Sequence, residues 1–526
     1  MALYVGLDSS TQSLTATVID GAAGSRRVVF EHSIVFARDL PQYGTVNGVT
    51  RHDDPLVVTS PPLMWVEALD MMMAALARQR MFDPADVAAI AGCAQQHGTV
   101  YLNDTYAAAL AALDASRPLA EQLQGVFSRR ESPVWMDEST GPQCLALAHA
   151  LGGPDEVARV TGSRPFARFA GPQIKKFAAG NPAGYAATRR IDLVSSFLAS
   201  LLLGAPAPLD PGDAAGMNLM NIRTRRWSPP ALDATAPALA QRLPPIQDSS
   251  ARIGVLARYW RDRYGLPSAE LLPWTGDNPS SLVGAGLVQA GDVGVSLGTS
   301  DTVFGPVDTP PAEPRWANVF GSPTGGYMLL VCFRNGSLAR EHIRDRYGLD
   351  WPGFSRALAD TPPGNNGALM IPWVEAEITP TIDSPGLRRF NLAEDDAAAN
   401  VRALVEGQMM AMANHWDALA GRRPHRIRAT GGASSNRAIL QVMADVFGAD
   451  VYPAASTSAA SLGGALRALH AVEAARGGAD WRALVADFVG GGGEAVAANP
   501  AHAAVYHRLR GDYAAREAEA TASSRT

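Results

Sequence analysis

The chain has 526 residues, of which 47% are apolar and 18% charged, and its net charge is −6. This length exceeds what one hydrophobic core usually supports, so we expect two or three domains, and the acidic balance argues against nucleic acid as the main ligand. Lys175 and Lys176 are its only lysines, which excludes a GxxxxGK[ST] phosphate loop. Cys93, Cys144 and Cys332 lie far apart, which favours a reducing compartment over a disulfide framework.

The N-terminal sequence shows no signal peptide, because it opens directly into a strand-like run. The longest apolar run, residues 193–203, is too short to span a bilayer and predicts a buried helix. We therefore expect a cytoplasmic protein that has no membrane partner.

The first elements in the chain are strands. Residues 3–7 and 14–19 are strand-like apolar runs on either side of a polar turn, Asp8-Ser9-Ser10-Thr11-Gln12. Residues 28–35 predict a third strand. Together they indicate a small antiparallel meander.

A helix and a buried strand follow this meander. Residues 61–78 carry apolar side chains at helical spacing, and residues 87–92 form a short apolar run. This run ends at the polar segment Gln95-Gln96-His97-Gly98. Strand, helix and strand in this order indicate an α/β domain.

The strand–turn–strand pattern recurs in the second half. Residues 293–297 and 302–307 are apolar and flank the turn within Ser296-Leu297-Gly298-Thr299-Ser300-Asp301. The recurrence predicts a domain duplication, with two α/β domains at residues 1–288 and 289–526.

The rest of the second half continues the α/β pattern. Residues 400–417 predict a long helix, and a strand at 426–430 runs through two glycines into a helix at 437–447. In the helical segment 459–471, Gly463-Gly464 indicates a close helix contact more than a ligand site. Residues 515–526 are expected to be a frayed polar tail.

The two turns carry the first functional signal. Hairpin tips rich in Ser, Thr and Gly expose backbone N–H and hydroxyl groups that hold phosphate. Two such turns predict a nucleotide clamped between two related domains. Asp8 is suited to hold a hydrated Mg²⁺ against phosphate oxygens, and the alternative is a turn-forming Asp. The second turn favours the phosphate hypothesis.

Two later segments are predicted turns between a strand and a helix. Gly431 and Gly432 let a ligand approach the backbone near a helix N-terminus, although they also fit an ordinary turn with Ser434, Ser435 or Asn436 as the helix cap. Asp277, in Thr275-Gly276-Asp277-Asn278-Pro279, is placed to accept a proton from a substrate hydroxyl during phosphoryl transfer. The alternative is an N-cap Asp.

Two basic side chains are weaker candidates. His97 ends a core strand, where α/β proteins often bind ligands, and its polar neighbours slightly favour substrate contact over a structural role. Arg168 lies in a predicted loop, and a solvated charge is the simpler interpretation. The sequence has no HExxH, GxSxG or spaced Cys/His cluster, so a zinc or serine hydrolase is unsupported.

Taken together, these segments resemble the FGGY carbohydrate kinases of the actin/hexokinase/Hsp70-like superfamily, and within that family the animal-type kinases of D-xylulose. The resemblance covers almost the whole chain. It rests on Leu7-Asp8-Ser9-Ser10-Thr11-Gln12, Arg38-Asp39-Leu40-Pro41, Gln95-Gln96-His97-Gly98, Pro133-Val134-Trp135-Met136-Asp137, Ser195-Ser196-Phe197, Gly216-Met217-Asn218-Leu219, Thr275-Gly276-Asp277-Asn278-Pro279, Val295-Ser296-Leu297-Gly298-Thr299-Ser300-Asp301 and Ala429-Thr430-Gly431-Gly432-Ala433-Ser434.

The resemblance implies two actin-like (RNase H-like) ATPase domains with a ligand cleft between them. It also implies Mg²⁺- and ATP-dependent phosphorylation of a sugar, for D-xylulose at O5, by a monomer or homodimer. By the same resemblance Asp277 is the catalytic base, and the ketose is held by His97, Arg168, Asp277 and Asn278. The implied nucleotide residues are Asp8 (through Mg²⁺), Thr11, Gly298, Thr299, Trp351, Gly431, Gly432 and Asn436.

One departure from the family pattern concerns the first turn. The family usually has DxGTxxxK there, whereas this chain has Ser10 for the glycine and Thr15 for the lysine. Other hypotheses therefore stay open: a kinase for another ketose or polyol, such as ribulose or glycerol, and a non-catalytic sugar-binding regulator. A chaperone or filament protein of the same superfamily would not need the sugar-site residues.

Overall fold

The computed structural model describes residues 2–454, 458–489 and 493–523, which fall into two compact units. Unit 1 contains residues 2–288, 319–328 and 458–489. Unit 2 contains residues 289–318, 329–454 and 493–523. Segments 319–328 and 458–489, from the later part of the chain, thus group with unit 1. None of the helices in these ranges has the length and apolar character that a bilayer crossing needs.

Strands and helices are mixed in both units. The strands are β1 (Leu3–Ser9), β2 (Ser13–Asp20), β3 (Arg27–Val35), β4 (Thr50–Arg51), β5 (Val58–Ser60), β6 (Val87–Ala94), β7 (Thr99–Leu102), β8 (Ser132–Pro133), β9 (Arg190–Leu193), β10 (Met220–Asn221), β11 (Arg226–Trp227), β12 (Gly254–Val255), β13 (Glu270–Leu271), β14 (Thr275–Gly276), β15 (Asp292–Leu297), β16 (Asp301–Val307), β17 (Asn318–Gly321), β18 (Tyr327–Phe333), β19 (Leu369–Ile371), β20 (Arg388–Phe390), β21 (Arg426–Thr430) and β22 (Asp450–Pro453).

The helices are α1 (Phe36–Asp39), α2 (Pro62–Arg78), α3 (Tyr106–Ala111), α4 (Leu119–Leu123), α5 (Gly141–Ala150), α6 (Pro154–Thr161), α7 (Ala170–Gly180), α8 (Pro182–Ala187), α9 (Val194–Leu203), α10 (Pro211–Ala214), α11 (Pro229–Thr235), α12 (Arg258–Tyr264), α13 (Asp277–Gly284), α14 (Ser337–Arg346), α15 (Trp351–Asp360), α16 (Ala397–Ala420), α17 (Arg437–Phe447), α18 (Ala459–Ala475), α19 (Trp481–Val489) and α20 (Ala503–Ser523). The predicted helix at 193–203 is confirmed as α9, which is buried over most of its length.

Unit 1 is built on a sheet with the strand order β12-β13-β6-β1-β2-β3, and β14 also pairs with β6. The predicted meander is confirmed, because β1, β2 and β3 pair antiparallel in succession, while β1 pairs parallel with β6. Side chains alternate across β1: Leu3, Val5 and Leu7 join the core that contains α2, and Tyr4 joins the core that contains α18. Helices thus cover both faces of this strand.

Helix α18 lies unusually close to the sheet of unit 1. A Cβ atom on Gly6 would lie 1.8 Å from the carbonyl oxygen of Ser461, and one on Gly464 would lie 3.0 Å from the Cα of Gly6. A Cβ on Gly463 would lie 1.9 Å from the carbonyl oxygen of Ser280 in α13. The close helix contact predicted at Gly463-Gly464 is therefore confirmed, and glycine is required there by the short backbone separation.

Unit 2 repeats the central pattern of unit 1. Strand β15 pairs antiparallel with β16 and parallel with β21, and β21 pairs parallel with β22. Helix α16 belongs to this unit, and all of its residues from Asn400 to Ala413 are buried. The tail predicted at 515–526 is wrong for residues 515–523, because α20 continues to Ser523 and buries Glu517 and Ala520. Residues 524–526 lie outside the described ranges.

Candidate active site

The first hairpin places a buried carboxylate near the end of β1. Asp8 accepts a hydrogen bond of 2.6 Å from Ser10 Oγ, and Cys93 Sγ on the neighbouring strand β6 donates over 3.4 Å. Burial raises the pKa of Asp8 to about 6, although both hydrogen bonds lower it. Within residues 2–454, 458–489 and 493–523, no basic side chain forms an ion pair with this carboxylate. A buried charge without a cation is suited to bind one.

The next residues form the tip of the first hairpin. Thr11 is partly exposed, and its Oγ1 accepts a hydrogen bond of 2.8 Å from the indole Nε1 of Trp135, whose side chain is 43% exposed. Thr15, at the position of the family's lysine, pairs with Asp8 across β1 and β2. Its hydroxyl lies 2.9 Å from the hydroxyl of Ser33 on β3. The hydroxyl of Thr15 is therefore engaged within the sheet.

A second carboxylate lies at the start of α13. Strand β14 pairs with the end of β6, and Asp277 follows it as the first residue of the helix. Burial and then the negative charge of Asp8 raise the pKa of Asp277 to about 7, and backbone N–H groups, including those of Asn278 and Gln96, lower it. A carboxylate with this pKa can exchange a proton near neutral pH.

Asn278 and Gln96 are joined to this carboxylate by hydrogen bonds. The backbone N–H of Asn278 donates to Asp277 Oδ1 over 2.8 Å, and its Nδ2 donates to the same oxygen over 3.1 Å. Asn278 Nδ2 also donates to Gln96 Oε1 over 2.9 Å. Asn278 is exposed, whereas Gln96 is buried.

His97 is held in a fixed orientation and tautomer. Its backbone has a positive φ of 73°, which is rare for a residue with a side chain, and its ring stacks on Phe169 with 4.3 Å between centroids. Its Nδ1 donates to the carbonyl oxygen of Gly216 over 2.8 Å, so Nε2 carries the lone pair. Burial and then the charge of Arg168 lower the pKa of His97 to about 3. The ring is therefore neutral near pH 7. The guanidinium of Arg168, whose charge acts on this ring, lies 5.1 Å from the ring centre of Phe166.

The sequence analysis did not identify the buried residues beneath this group. Arg467 on α18 donates to the carbonyl oxygens of Gly92 and Pro273, over 3.0 and 2.7 Å, and so fixes β6 and the segment before β14. Asp213 accepts a hydrogen bond from Ser195 Oγ, and burial followed by the charges of Asp210 and Asp277 raises its pKa well above its usual value. The paired carboxylates of the segment 210–213 were the only signal in the sequence.

The second hairpin, which lies between β15 and β16 in unit 2, is held by a buried ion pair. Gly298 and Thr299 lie between β15 and β16, and Thr299 is exposed. Arg340 on α14 pairs with both oxygens of Asp301, over 2.8 and 2.9 Å, and these side chains are only 1% and 2% exposed. The carbonyl oxygen of Gly298 accepts a 2.8 Å hydrogen bond from the N–H of Ser337, the first residue of α14.

The strand-to-helix turn after β21 also belongs to unit 2. Gly431 has φ 85°, and a Cβ there would lie 2.4 Å from the carbonyl oxygen of Leu297, whereas a Cβ on Gly432 would meet open space. Asn436 caps α17 through Oδ1, and its Nδ2 donates to Ser355 Oγ over 2.7 Å. The alternative of an N-cap residue is therefore confirmed for Asn436, and it does not exclude ligand contact.

Trp351 is brought to the same part of unit 2. Ser355, the partner of Asn436, donates to the carbonyl oxygen of Trp351 over 2.9 Å within α15. The indole is 41% exposed, lies edge-on to Phe354 and carries the guanidinium of Arg344 at 4.6 Å from its ring centre. An exposed aromatic ring beside a glycine turn is suited to contact a flat ligand.

The predicted residues thus form groups within each unit. Unit 1 brings Asp8 and Thr11 to the first hairpin, and it brings Asp277, Asn278 and His97 into a polar group with Arg168 near it. Unit 2 holds Gly298 and Thr299 on its hairpin, and Gly431 and Gly432 with Asn436 and Trp351.

Comparison with known protein families identifies the chain. The N-terminal domain of the FGGY family of carbohydrate kinases matches residues 130–284, and the C-terminal domain of that family matches residues 293–472. A xylulose kinase of Rattus norvegicus is 44% identical over 90% of this chain and 89% of that protein. The chain belongs to the FGGY family of carbohydrate kinases. This kinase is thus a phosphotransferase, and the family implies ATP and a small-molecule sugar as its substrates.

Further relatives agree with this family. Xylulose kinase 2 of Arabidopsis thaliana is 42% identical over 89% of this chain and 87% of that protein. The crystal structure of xylulose kinase from Rhodospirillum rubrum superimposes with a TM-score of 0.80 at 19% identity, over 100% of both chains. At this identity the likeness shows the fold alone. It confirms the prediction of an α/β protein with two actin-like ATPase domains.

Proposed function

We propose that this kinase transfers the γ-phosphoryl group of ATP to O5 of D-xylulose, which yields D-xylulose 5-phosphate. Support for the sugar comes from the relatives named xylulose kinase, at 42–44% identity over about nine-tenths of the chain. The observation that carries the chemistry is Asp277, whose carboxylate has a pKa raised to about 7 at the start of α13. Phosphoryl transfer to a hydroxyl needs a base of this kind beside the acceptor.

Asp277 accepts the proton of the attacking hydroxyl in this proposal. The two hydrogen bonds from Asn278 hold its Oδ1 in place. We assign proton uptake to Oδ2. Because its pKa is close to neutral pH, a substantial part of the carboxylate is ionised when the sugar binds, and it is basic enough to take the proton in the transition state.

His97, Arg168 and Asn278 hold the sugar. The neutral ring of His97 offers Nε2 as an acceptor for a sugar hydroxyl, since Nδ1 is bonded to Gly216. Arg168 supplies donors for oxygen-rich ligands, and its stacking on Phe166 limits its freedom. Exposed Asn278 adds a further polar contact. This set discriminates between sugars by the direction of individual hydroxyl groups.

The residues proposed to contact ATP lie on the two hairpins and on and near the glycine turn. Thr11 in unit 1, and Gly298 and Thr299 in unit 2, contact phosphate oxygens. Gly431, Gly432 and Asn436 contact the adenosine, and Trp351 contacts the adenine ring. Support comes from the exposure of Thr299 and Trp351 and from the open space beside Gly432.

Mg²⁺ is suited to Asp8. Its buried carboxylate has no cation partner in the described part of the chain, and oxygen is the ligand that Mg²⁺ prefers. No cluster of three or more His, Cys, Asp or Glu residues in the described ranges could hold a metal by itself. Water and phosphate oxygens would therefore complete the coordination, as is usual for this ion. When bound, Mg²⁺ would neutralise phosphate charge where the family's lysine is replaced by Thr15.

The cytoplasm and a monomeric or homodimeric state, expected from the sequence, belong to the same proposal. So does the expectation that neither nucleic acid nor a membrane is a partner.

The test is ADP release with ATP and Mg²⁺ against D-xylulose, L-xylulose, D-ribulose, L-ribulose and glycerol. Asp277→Asn, which keeps the shape of the side chain, is compared with Asp262→Asn on the exposed end of α12 as a control. We expect turnover on D-xylulose, a loss of about 10²- to 10⁴-fold in kcat for Asp277→Asn, and no change for Asp262→Asn.

Turnover on another sugar of the panel would support phosphoryl transfer but would assign a different substrate. Turnover on none, with sugar binding intact by calorimetry, would contradict the proposed activity. Undiminished turnover of Asp277→Asn would contradict the assignment of the base.

A further inference from the structure

The side chain of Gln96 is buried beside the proposed sugar site, and one of its two polar atoms has a partner. Gln96 is 3% exposed, and its Oε1 accepts the 2.9 Å hydrogen bond from Asn278 Nδ2. Its Nε2 is buried and has no hydrogen-bond partner among the described residues. An unsatisfied buried donor opposes folding, so this side chain is poorly explained by stability alone.

Close packing fixes the position of the Gln96 carboxamide. A Cβ on Gly276 would lie 2.8 Å from Gln96 Nε2, and a Cβ on Gly216 would lie 3.5 Å from the same atom. A larger residue at position 276 would therefore displace the side chain, whereas the separation at Gly216 is an ordinary van der Waals contact. Gly276 also directly precedes Asp277, so Gln96 packs against the backbone that presents the proposed base.

This packing decides which way the carboxamide of Asn278 faces. A carboxamide nitrogen carries two hydrogens, and Asn278 Nδ2 uses them on Gln96 Oε1 and Asp277 Oδ1. The oxygen Oδ1 is then the atom that this side chain offers to a ligand. An oxygen without hydrogens can only accept, so a ligand group that meets it must donate.

We propose that Gln96 is a positioning residue of the sugar site, which fixes Asn278 with its Oδ1 toward the sugar and thereby selects a hydroxyl group that donates at this position. The proposal rests on the proposed function, because it assigns Asn278 to sugar binding. It adds a residue that does not contact the sugar itself and a direction for one sugar hydrogen bond.

The test compares Gln96→Met with Gln95→Met in steady-state kinetics. Methionine has nearly the shape of glutamine but no acceptor, so Asn278 loses its fixed orientation. Gln95 is an equally buried glutamine on the same segment, and neither of its carboxamide atoms has a hydrogen-bond partner in the described part of the chain. We expect Gln96→Met to raise the KM for the sugar about five- to tenfold, with the KM for ATP and the thermal unfolding midpoint nearly unchanged.

A merely structural role predicts a different result. It would lower the unfolding midpoint of Gln96→Met and would shift the kinetics of both variants alike. An equal rise in sugar KM for Gln95→Met, or a sugar KM of Gln96→Met within twofold of the wild type, would overturn the proposal. If the wild type turned over no sugar, the proposed function would fail first, and that outcome is distinct from active enzyme with an unaffected Gln96→Met variant.

A second arm tests the direction of the hydrogen bond with monodeoxy derivatives of the accepted sugar. In the wild type, removal of one particular hydroxyl should raise KM because its donor to Asn278 Oδ1 is lost. In Gln96→Met that penalty should shrink at least threefold, since the contact is already weakened, while penalties at the other positions stay the same. Unchanged penalties at every position would overturn the proposal.

Discussion

The two hairpins of this kinase carry the same kind of residue in opposite electrostatic settings. At the first hairpin, Asp8 is buried, its side-chain hydrogen-bond donors among the described residues are Ser10 and Cys93, and its pKa is raised to about 6. At the second hairpin, burial also raises the pKa of Asp301, but this carboxylate is paired with both terminal nitrogens of Arg340, whose charge lowers it. A carboxylate with a built-in cation stabilises its turn, whereas one without a cation is prepared to receive one from outside.

The largest expected effect is the loss of stability when the ion pair between Asp301 and Arg340 is broken. Arg340→Met removes one member of a buried pair and leaves the charge of Asp301 uncompensated, so we expect the free energy of unfolding to fall by about 3–5 kcal/mol. Urea unfolding measures this change. The double variant Arg340→Met/Asp301→Asn removes both charges and should recover at least half of the loss. A double variant as unstable as the single one would show that the ion pair is not the reason.

Removal of the charge of Asp8 should instead lower activity and leave stability intact. Asp8→Asn removes a buried charge that burial disfavours, so we expect no loss of stability, while kcat falls about 100-fold and half-saturation by Mg²⁺ needs a higher concentration. ADP release over a Mg²⁺ series and thermal unfolding measure the two effects. A variant that is destabilised but needs no more Mg²⁺ than the wild type would place Asp8 with the structural carboxylates.

The pH dependence of stability gives a separate test of Asp8, together with Asp277. The pKa values of Asp8 and Asp277 are raised to about 6 and about 7 from near 4, so the folded state binds protons that the unfolded state releases. The contribution of these two groups should therefore make stability fall as pH rises from about 4 to about 7. We expect the unfolding midpoint of Asp8→Asn/Asp277→Asn to fall less than that of the wild type between pH 5 and pH 8. If the unfolding midpoints of the variant and the wild type fell in parallel over this range, the raised pKa values of Asp8 and Asp277 would be contradicted.

The smallest expected effect concerns the tip of the first hairpin. The indole of Trp135 donates to Thr11 Oγ1, so the hydroxyl proton of Thr11 must point elsewhere and can be donated to a phosphate oxygen. Trp135→Phe keeps the ring but not the donor, and we expect the KM for ATP to rise about threefold. In the background of Thr11→Val the same change should have no effect. An equal rise in both backgrounds would exclude this hydrogen bond as the cause.

Local elements of the fold could be predicted from the sequence because short-range patterns decide them. The predicted helix at 61–78 is α2, from Pro62 to Arg78, and the predicted strand at 426–430 is β21. The spacing of apolar residues and the composition of the turns are enough to predict such elements. The tail at 515–526 was misjudged because its polar sequence shows no strong apolar stripe, while tertiary packing makes it helical as far as Ser523.

The partners of the candidate residues could not be predicted. Asn278 and Gln96 are 182 positions apart in sequence, and Trp135 and Thr11 are 124 apart. Hydrogen bonds depend on distances of a few tenths of an ångström, which no linear pattern encodes. The sequence resemblance named the residues, but the orientation of Asn278 became visible only when the strand end and the helix start were in place.

Helix α18 has a consequence for how the protein is made. Its residues, from Ala459 to Ala475, complete the core of unit 1, although most of that unit is encoded before residue 289. On a ribosome the N-terminal sheet therefore emerges long before the helix that covers one of its faces, and at ordinary synthesis rates the interval is roughly ten to thirty seconds. During that interval Tyr4, Ala89 and Ala91 lack their apolar cover, so the nascent chain is expected to depend on chaperone protection until almost all of it has been translated.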